Sequence, residues 1–255
     1  MNQNKVALCF TISYDHTLIK EELWRKWIEP NLDIINVYIF YKDFSKIKSD
    51  WIKRHCIPYQ YIKQTSYFHV IPAYVSLIRH GLEADPNNQW FCFLTDSCCP
   101  IISPVKFREL FFANSDKSIM KWSKADWNIK LHRRANLRYL KSNYHLRNDP
   151  WFTLAREHAY YCIETMKSNM RLTDLICSGG LANESLFAII LHKQPNLINA
   201  SSHLMDWSRM TSGTSPHVFS QWNKEDAFIS AELDANPYFM FIRKVTSEFI
   251  PVNIL

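Results

Sequence analysis

The chain has 255 residues, of which 47% are hydrophobic, 15% aromatic and 21% charged, with a formal net charge of +6. This balance excludes disordered, low-complexity and collagen-like classes. The only four glycines (Gly81, Gly179, Gly180 and Gly213) leave no G-x-G-x-x-G dinucleotide turn and no Walker phosphate loop. The moderate basic bias fits an anionic ligand such as a nucleotide, a phosphate or an acidic glycan, and also weak nucleic-acid binding.

Residues 5–12 (KVALCFTI) are a short apolar run with β-branched and aromatic side chains, the pattern of a buried strand. Residues 18–28 carry Trp24, Trp27 and Ile28 on one face at helical spacing. Residues 34–41 (IINVYIFY) form a second strand pattern. Residues 72–82 suit a helix with Pro72 in its first turn. A turn at 85–88 precedes a third strand at 90–94 (WFCFL). Strand–helix alternation predicts an α/β fold, with a mostly parallel central sheet flanked by helices. With no repeat and no Gly/Ser linker, one domain over 1–255 is expected. Ligands of such sheets bind beyond the carboxyl ends of the strands, which singles out residues 11–16, 41–43 and 95–99.

The second half is less regular. Residues 121–147 hold eight basic side chains against one acid, Asp126, with Trp122, Trp127, Tyr139 and Tyr144 interleaved. That composition suits RNA binding by charge and stacking, a sugar or acidic-acceptor cleft, or a solvated loop anchored by its aromatics. Residues 150–163 predict a strand-to-helix passage, and 181–192 (LANESLFAIILH) an amphipathic helix. Residues 238–245 (YFMFIRKV) are apolar and close on two cations.

Several side chains are candidates for chemistry. Asp96 ends the third strand, where an acid either holds a ligand hydroxyl, base or metal, or caps the next turn. No D-x-D pair occurs, which argues against a metal-bound diphosphate. Glu184 opens the 181–192 helix, where a partly buried carboxylate suits a general base, or simply favours the helix dipole beside an Asn183 cap. Gly179 and Gly180 precede it and permit a close approach there. Arg243 and Lys244 suit a diphosphate, or a solvated strand end. His217 and Trp207 carry weaker signals. The ten histidines show no H-x-x-x-H spacing and no G-x-S-x-G occurs, so zinc and serine hydrolases are disfavoured. Seven cysteines without C-x-x-C spacing are expected to be free thiols. No signal-peptide pattern and no bilayer-length apolar stretch are present, so a soluble, cytoplasmic protein without a membrane span is expected.

Taken in order, these segments resemble the core-2/I-branching β-1,6-N-acetylglucosaminyltransferase and peptide xylosyltransferase family. The resemblance rests on the two opening strands, on Trp90 to Ile102 (WFCFLTDSCCPII), and on Trp151, Leu154, Arg156 and Ala159. It continues through Asn183-Glu184 with Phe187 and Leu191, Leu204 to Trp207, and Met240 to Val245. It implies a GT-A-like, inverting glycosyltransferase that uses a UDP-sugar donor and a glycan acceptor without a divalent metal or other cofactor. Xylose and N-acetylglucosamine are the implied sugars, with the Arg243-Lys244 pair closer to the xylose-transferring branch. Under the same resemblance Glu184 is the general base, and Arg243 and Lys244 hold the diphosphate. Thr11, Ser13, Tyr41 and Asp43 bound the nucleotide, Asp96 and Trp207 adjoin the sugar, and Trp151 and His217 face the acceptor. Residues 1–105 would form the nucleotide-binding half and 106–255 the acceptor-binding and catalytic half.

Three positions depart from the family pattern. Tyr41 stands where an Asp is common, Tyr67-Phe68-His69 where a Trp-Gly pair is common, and Phe219 where animal branching enzymes carry an Arg. The implied relative is a soluble one of viral or bacterial type. The competing expectations are an inactive nucleotide-sugar or glycan-binding protein and an RNA-binding module using 121–147, with nucleic acid disfavoured.

Overall fold

The computed structural model describes residues 3–213, 215–252 and 254. Its first half runs β1 (Lys5–Thr11), α1 (Glu21–Ile28), β2 (Ile35–Phe40), α2 (Asp50–His55), α3 (Ile71–Ala84), β3 (Asn88–Thr95), β4 (Cys98–Pro100) and α4 (Pro104–Asn114). Then follow β5 (Ser118–Ile119), β6 (Trp122–Lys124), β7 (Leu146–Asn148), β8 (Thr153–Ala155), α5 (Arg156–Ser168) and α6 (Met170–Cys177). The chain closes with α7 (Leu186–Leu191), β9 (Leu197–Ile198), β10 (His203–Leu204), α8 (Trp222–Ala235) and β11 (Phe241–Arg243).

The central sheet has six strands in the order β2-β1-β3-β8-β5-β9. β1 pairs parallel with both β2 and β3, whereas β8 runs antiparallel between β3 and β5. The sheet is therefore mostly parallel, as the alternation of elements predicts, and GT-A-like, as the resemblance implies. Both of its faces are covered, which is why its strands read as continuous apolar runs. Along β1, Ala7 and Cys9 pack with Tyr74 and Leu77 of α3 and Phe187 of α7. Val6, Leu8 and Phe10 pack on the other face with Trp24 and Trp27 of α1 and Phe107 of α4. The two Trp side chains predicted on one face of α1 are fully buried. Their Nε1–H groups donate to the Cys98 and Ile102 carbonyls at 3.1 and 2.7 Å.

The order β2-β1-β3 puts a reversal of strand direction of travel at β1, and the carboxyl ends of β1 and β3 flank it. A second, three-stranded sheet (β10-β11-β4) grows from the turn that follows β3. In it Arg243 of β11 pairs antiparallel with Cys98 of β4. This pairing carries the last apolar segment of the chain back to the carboxyl end of β3.

Two sequence expectations shift. The helix expected at 181–192 is shorter. Leu181 adopts a left-handed backbone (φ 56°), Ala182–Glu184 forms a single 3-10 turn, and α7 begins only at Leu186. Asn183 does not cap it with its side chain. The apolar run at 238–245 yields only the three-residue β11. All seven cysteines are free. Among the described residues no helix is long and apolar enough to cross a membrane.

Candidate active site

Two cavities meet beyond the carboxyl end of the sheet. The first, of about 310 Å³, is walled by Thr11 at the end of β1 and Ser13 after it, Lys42 after β2 and Asp96 after β3. Trp151, Glu184, Trp207, Arg243 and Lys244 complete it, so both halves of the chain contribute. Asp96 ties two strand ends together, because its Oδ2 accepts the Ser13 backbone N–H at 2.9 Å. The Thr11 hydroxyl is buried there without a partner.

Three cations converge on this cavity. The Arg243 guanidinium lies over the Trp151 ring at 3.8 Å, donates to the Ser97 hydroxyl at 2.8 Å and also donates to the Thr95 hydroxyl. Its Nε is buried and unpartnered. Lys244 donates to the Ser215 hydroxyl at 2.9 Å. Burial and the neighbouring Arg243 charge lower its pKa, and Asp96 opposes them. Lys42 donates to the Thr65 carbonyl at 3.0 Å and to the Thr65 hydroxyl, and burial lowers its pKa. Among the described residues none of the three forms an ion pair. Their hydrogen bonds go to neutral oxygens, which leaves the charges available to an anion.

Glu184 sits where the first cavity opens into the second. Its turn is fixed from two sides. Buried Asn148 donates to the Asn183 carbonyl at 2.8 Å and accepts the Ala188 N–H at 3.0 Å, bracketing the turn. On the other side the 133–136 backbone crosses Gly179, and Ala135 N–H donates to the Gly180 carbonyl at 2.8 Å. A Cβ on Gly179 would lie 2.8 Å from the Arg133 carbonyl oxygen and also strike the Asn136 nitrogen. At Gly180 the nearest atoms are Phe68 side-chain carbons at 3.7 Å, so a close approach is required at the first glycine alone.

About 25% of the Glu184 side chain is open to the cleft, and Arg134 Nη1 lies 3.5 Å from its Oε2. Burial raises the Glu184 pKa, while Arg134 and Arg147 pull it down and Asp149 adds to the rise. A carboxylate so held is a stronger base than one in water.

The second cavity is a groove of about 840 Å³. It shares Tyr67, Pro150, Leu181, Glu184 and Trp207 with the first. Lys121, Arg133, Arg134 and Arg147 of the basic segment line it, together with Trp127. Asp149 lies in the same groove and accepts the Ser201 hydroxyl at 2.5 Å. Burial raises its pKa against the pull of Ser201, Arg147 and Lys121.

Of the residues singled out from sequence, Thr11, Ser13, Asp96, Trp151, Trp207, Arg243, Lys244 and Glu184 come together at the first cavity. Trp151, expected on the acceptor side, instead lies beneath Arg243. Tyr41 is buried in the core, and Asp43 caps the following turn by accepting the Ser45 N–H at 3.0 Å. Neither lines either of these two cavities, whereas Lys42 between them lines the first. His217 also lies off both cavities, with its Nε2 2.9 Å from Glu225 in a network that includes Arg209 and Asp206. Sequence reasoning reached Lys42 only as part of the 41–43 segment, missed Asn148 and Asp149, and did not set Arg134 apart from its basic neighbours.

A family model described as Core-2/I-Branching enzyme matches residues 10–228 of the chain. The match includes Glu184 and ends before Arg243 and Lys244. No curated protein matches the chain.

Proposed function

The chain belongs to the core-2/I-branching enzyme family and is a glycosyltransferase, and on that premise we propose that it moves a sugar from a UDP-sugar to a hydroxyl of a glycan acceptor, with inversion and without a divalent metal. The observation that carries this proposal is that Glu184 borders both cavities, one lined by three cations that form no ion pair among the described residues and the other open to a longer ligand. The diphosphate and sugar occupy the smaller cavity and the acceptor lies in the groove. Glu184 takes the proton from the acceptor hydroxyl as that oxygen attacks the anomeric carbon. The bond between that carbon and the β-phosphate oxygen breaks on the opposite side, and UDP leaves with the electron pair.

Arg243, Lys244 and Lys42 supply fixed positive charge where negative charge grows on the diphosphate. Arg243 acts as a planar fork held flat on Trp151, and the two lysines act as point charges. Asp96 and Trp207 adjoin the transferred sugar. Xylose and N-acetylglucosamine are the donor sugars to try first.

Titration calorimetry with UDP in the presence of EDTA, followed by a turnover screen across UDP-sugars, tests the proposal. UDP is expected to bind, and UDP-xylose or UDP-N-acetylglucosamine to be consumed. Absence of UDP binding would sink it. Binding with no turnover of any donor would instead favour a binding protein that has lost catalysis.

A further inference from the structure

We infer that the acceptor is an anionic glycan, one whose sugar units carry carboxylate, sulfate or phosphate groups, bound in the groove by Lys121, Arg133, Arg134 and Arg147. The inference builds on the proposed transfer reaction, because it assigns the groove beside Glu184 to the acceptor. Its own observation is the charge of that groove. Arg134 and Arg147 reach Glu184 and Asp126 at 3.5 and 3.2 Å. Lys121 and Arg133 form no ion pair among the described residues and are exposed. The facing carboxylates are Asp126, Asp149 and Glu184. Burial raises the pKa of the last two, and even with all three ionised the four cations outnumber them.

Four cations face three carboxylates, and a neutral glycan would leave Lys121 and Arg133 without an anionic partner among the described residues. Guanidinium groups match carboxylate and sulfate oxygens in fork geometry. Tyr67 and Phe68 line the same groove and meet edge to face at 5.1 Å, giving an apolar surface for a sugar ring. Single-stranded RNA is the less suited polyanion, since the rings of the basic segment itself offer its bases little open face. Arg134 covers Trp127 at 5.1 Å, Trp122 and Tyr144 pack against the core, and Tyr139 lies outside the groove under Arg138.

The test is binding of four probes to the full chain by calorimetry. They are a tetrasaccharide of alternating hexuronate and N-acetylhexosamine, its sulfated counterpart, its carboxyl-reduced neutral counterpart, and a uridylate tetramer. At least one anionic saccharide is expected to bind about tenfold or more tightly than the neutral one, with the difference shrinking as salt rises. If both bind, carboxylate suffices; if only the sulfated one does, sulfate is the recognised group. The paired substitution Lys121→Ala with Arg133→Ala is expected to remove the preference, and Lys121→Arg with Arg133→Lys to retain it. Equal binding of the neutral saccharide, no saccharide binding, or a uridylate tetramer that matches the best saccharide overturns the inference. UDP titrated alone separates the two levels. If UDP binds and the anion preference is absent, only the acceptor inference falls; if UDP does not bind, the transfer reaction falls with it.

Discussion

The guanidinium of Arg243 lies 3.8 Å from the centroid of the Trp151 ring, which joins the end of β11 to the segment that precedes β8. The ring holds the cation flat, and the Thr95 and Ser97 hydroxyls fix its rotation without neutralising it. A cation over an indole is worth about 0.5–2 kcal/mol. Trp151→Ala is therefore expected to weaken UDP binding roughly two- to thirtyfold by calorimetry, and Trp151→Phe to keep most of the affinity. Unchanged affinity in the alanine variant would show that Arg243 does not face the diphosphate.

Lys42 and Asp43 are neighbours with opposite fates. Lys42 lines the smaller cavity, whereas Asp43 caps the turn at Phe44–Lys46. Removing a hydrogen bond to a charged group costs about 1.5–3 kcal/mol. Lys42→Met is expected to lower UDP affinity by about that amount and to flatten its dependence on salt. Asp43→Asn is expected to leave it unchanged. The reverse pattern would place the nucleotide on the other face of the chain after β2.

Glu184 works as a base only when ionised, so the rate falls as pH drops through its pKa. Burial raises that pKa and Arg134 is the largest opposing charge. In Arg134→Ala the acid limb of the kcat/KM profile is expected to move to higher pH. A limb that stays in place or moves down would separate the limb from Glu184. The stability effect has a definite sign as well. A group whose pKa is raised on folding contributes fully below its unfolded value and loses that contribution as pH rises through the folded value. Glu184→Gln is thus expected to gain more in Tm, relative to the parent, near neutral pH than below the ordinary carboxylate range.

Gly179 and Gly180 look alike in sequence and differ in their surroundings. A Cβ at Gly179 meets the backbone of 133–136, which cannot swing aside like a side chain. Gly179→Ala is expected to destabilise the protein by about 1–3 kcal/mol in urea unfolding and to slow turnover by displacing the Glu184 turn. Gly180→Ala meets only Phe68 at 3.7 Å and is expected to be close to neutral.

The strands β1, β2 and β3 were legible because burial on both faces makes them continuous apolar runs bounded by polar turns. Their order also pointed to the strand ends, where Thr11, Ser13 and Asp96 lie. Glu184 and the Arg243-Lys244 pair stood out as charges abutting apolar segments. The turn geometry around Glu184 was not legible, because it depends on Asn148 and on the backbone crossing at Gly179, both distant in sequence. Arg134 and Asp149 belong to irregular segments whose placement is set by such long-range contacts, and no periodicity marks them. Tyr41 and Asp43 were singled out from the segment that holds Lys42, and the structure buries Tyr41 and uses Asp43 as a turn cap.

The most direct measurement is UDP-sugar turnover by Glu184→Gln set beside its affinity for UDP. General-base assistance is worth about 10²–10⁴-fold. If Glu184 removes the acceptor proton, turnover falls by about that factor while UDP affinity stays within about twofold of the parent. Turnover close to the parent's, with UDP still bound, would contradict the role given to Glu184.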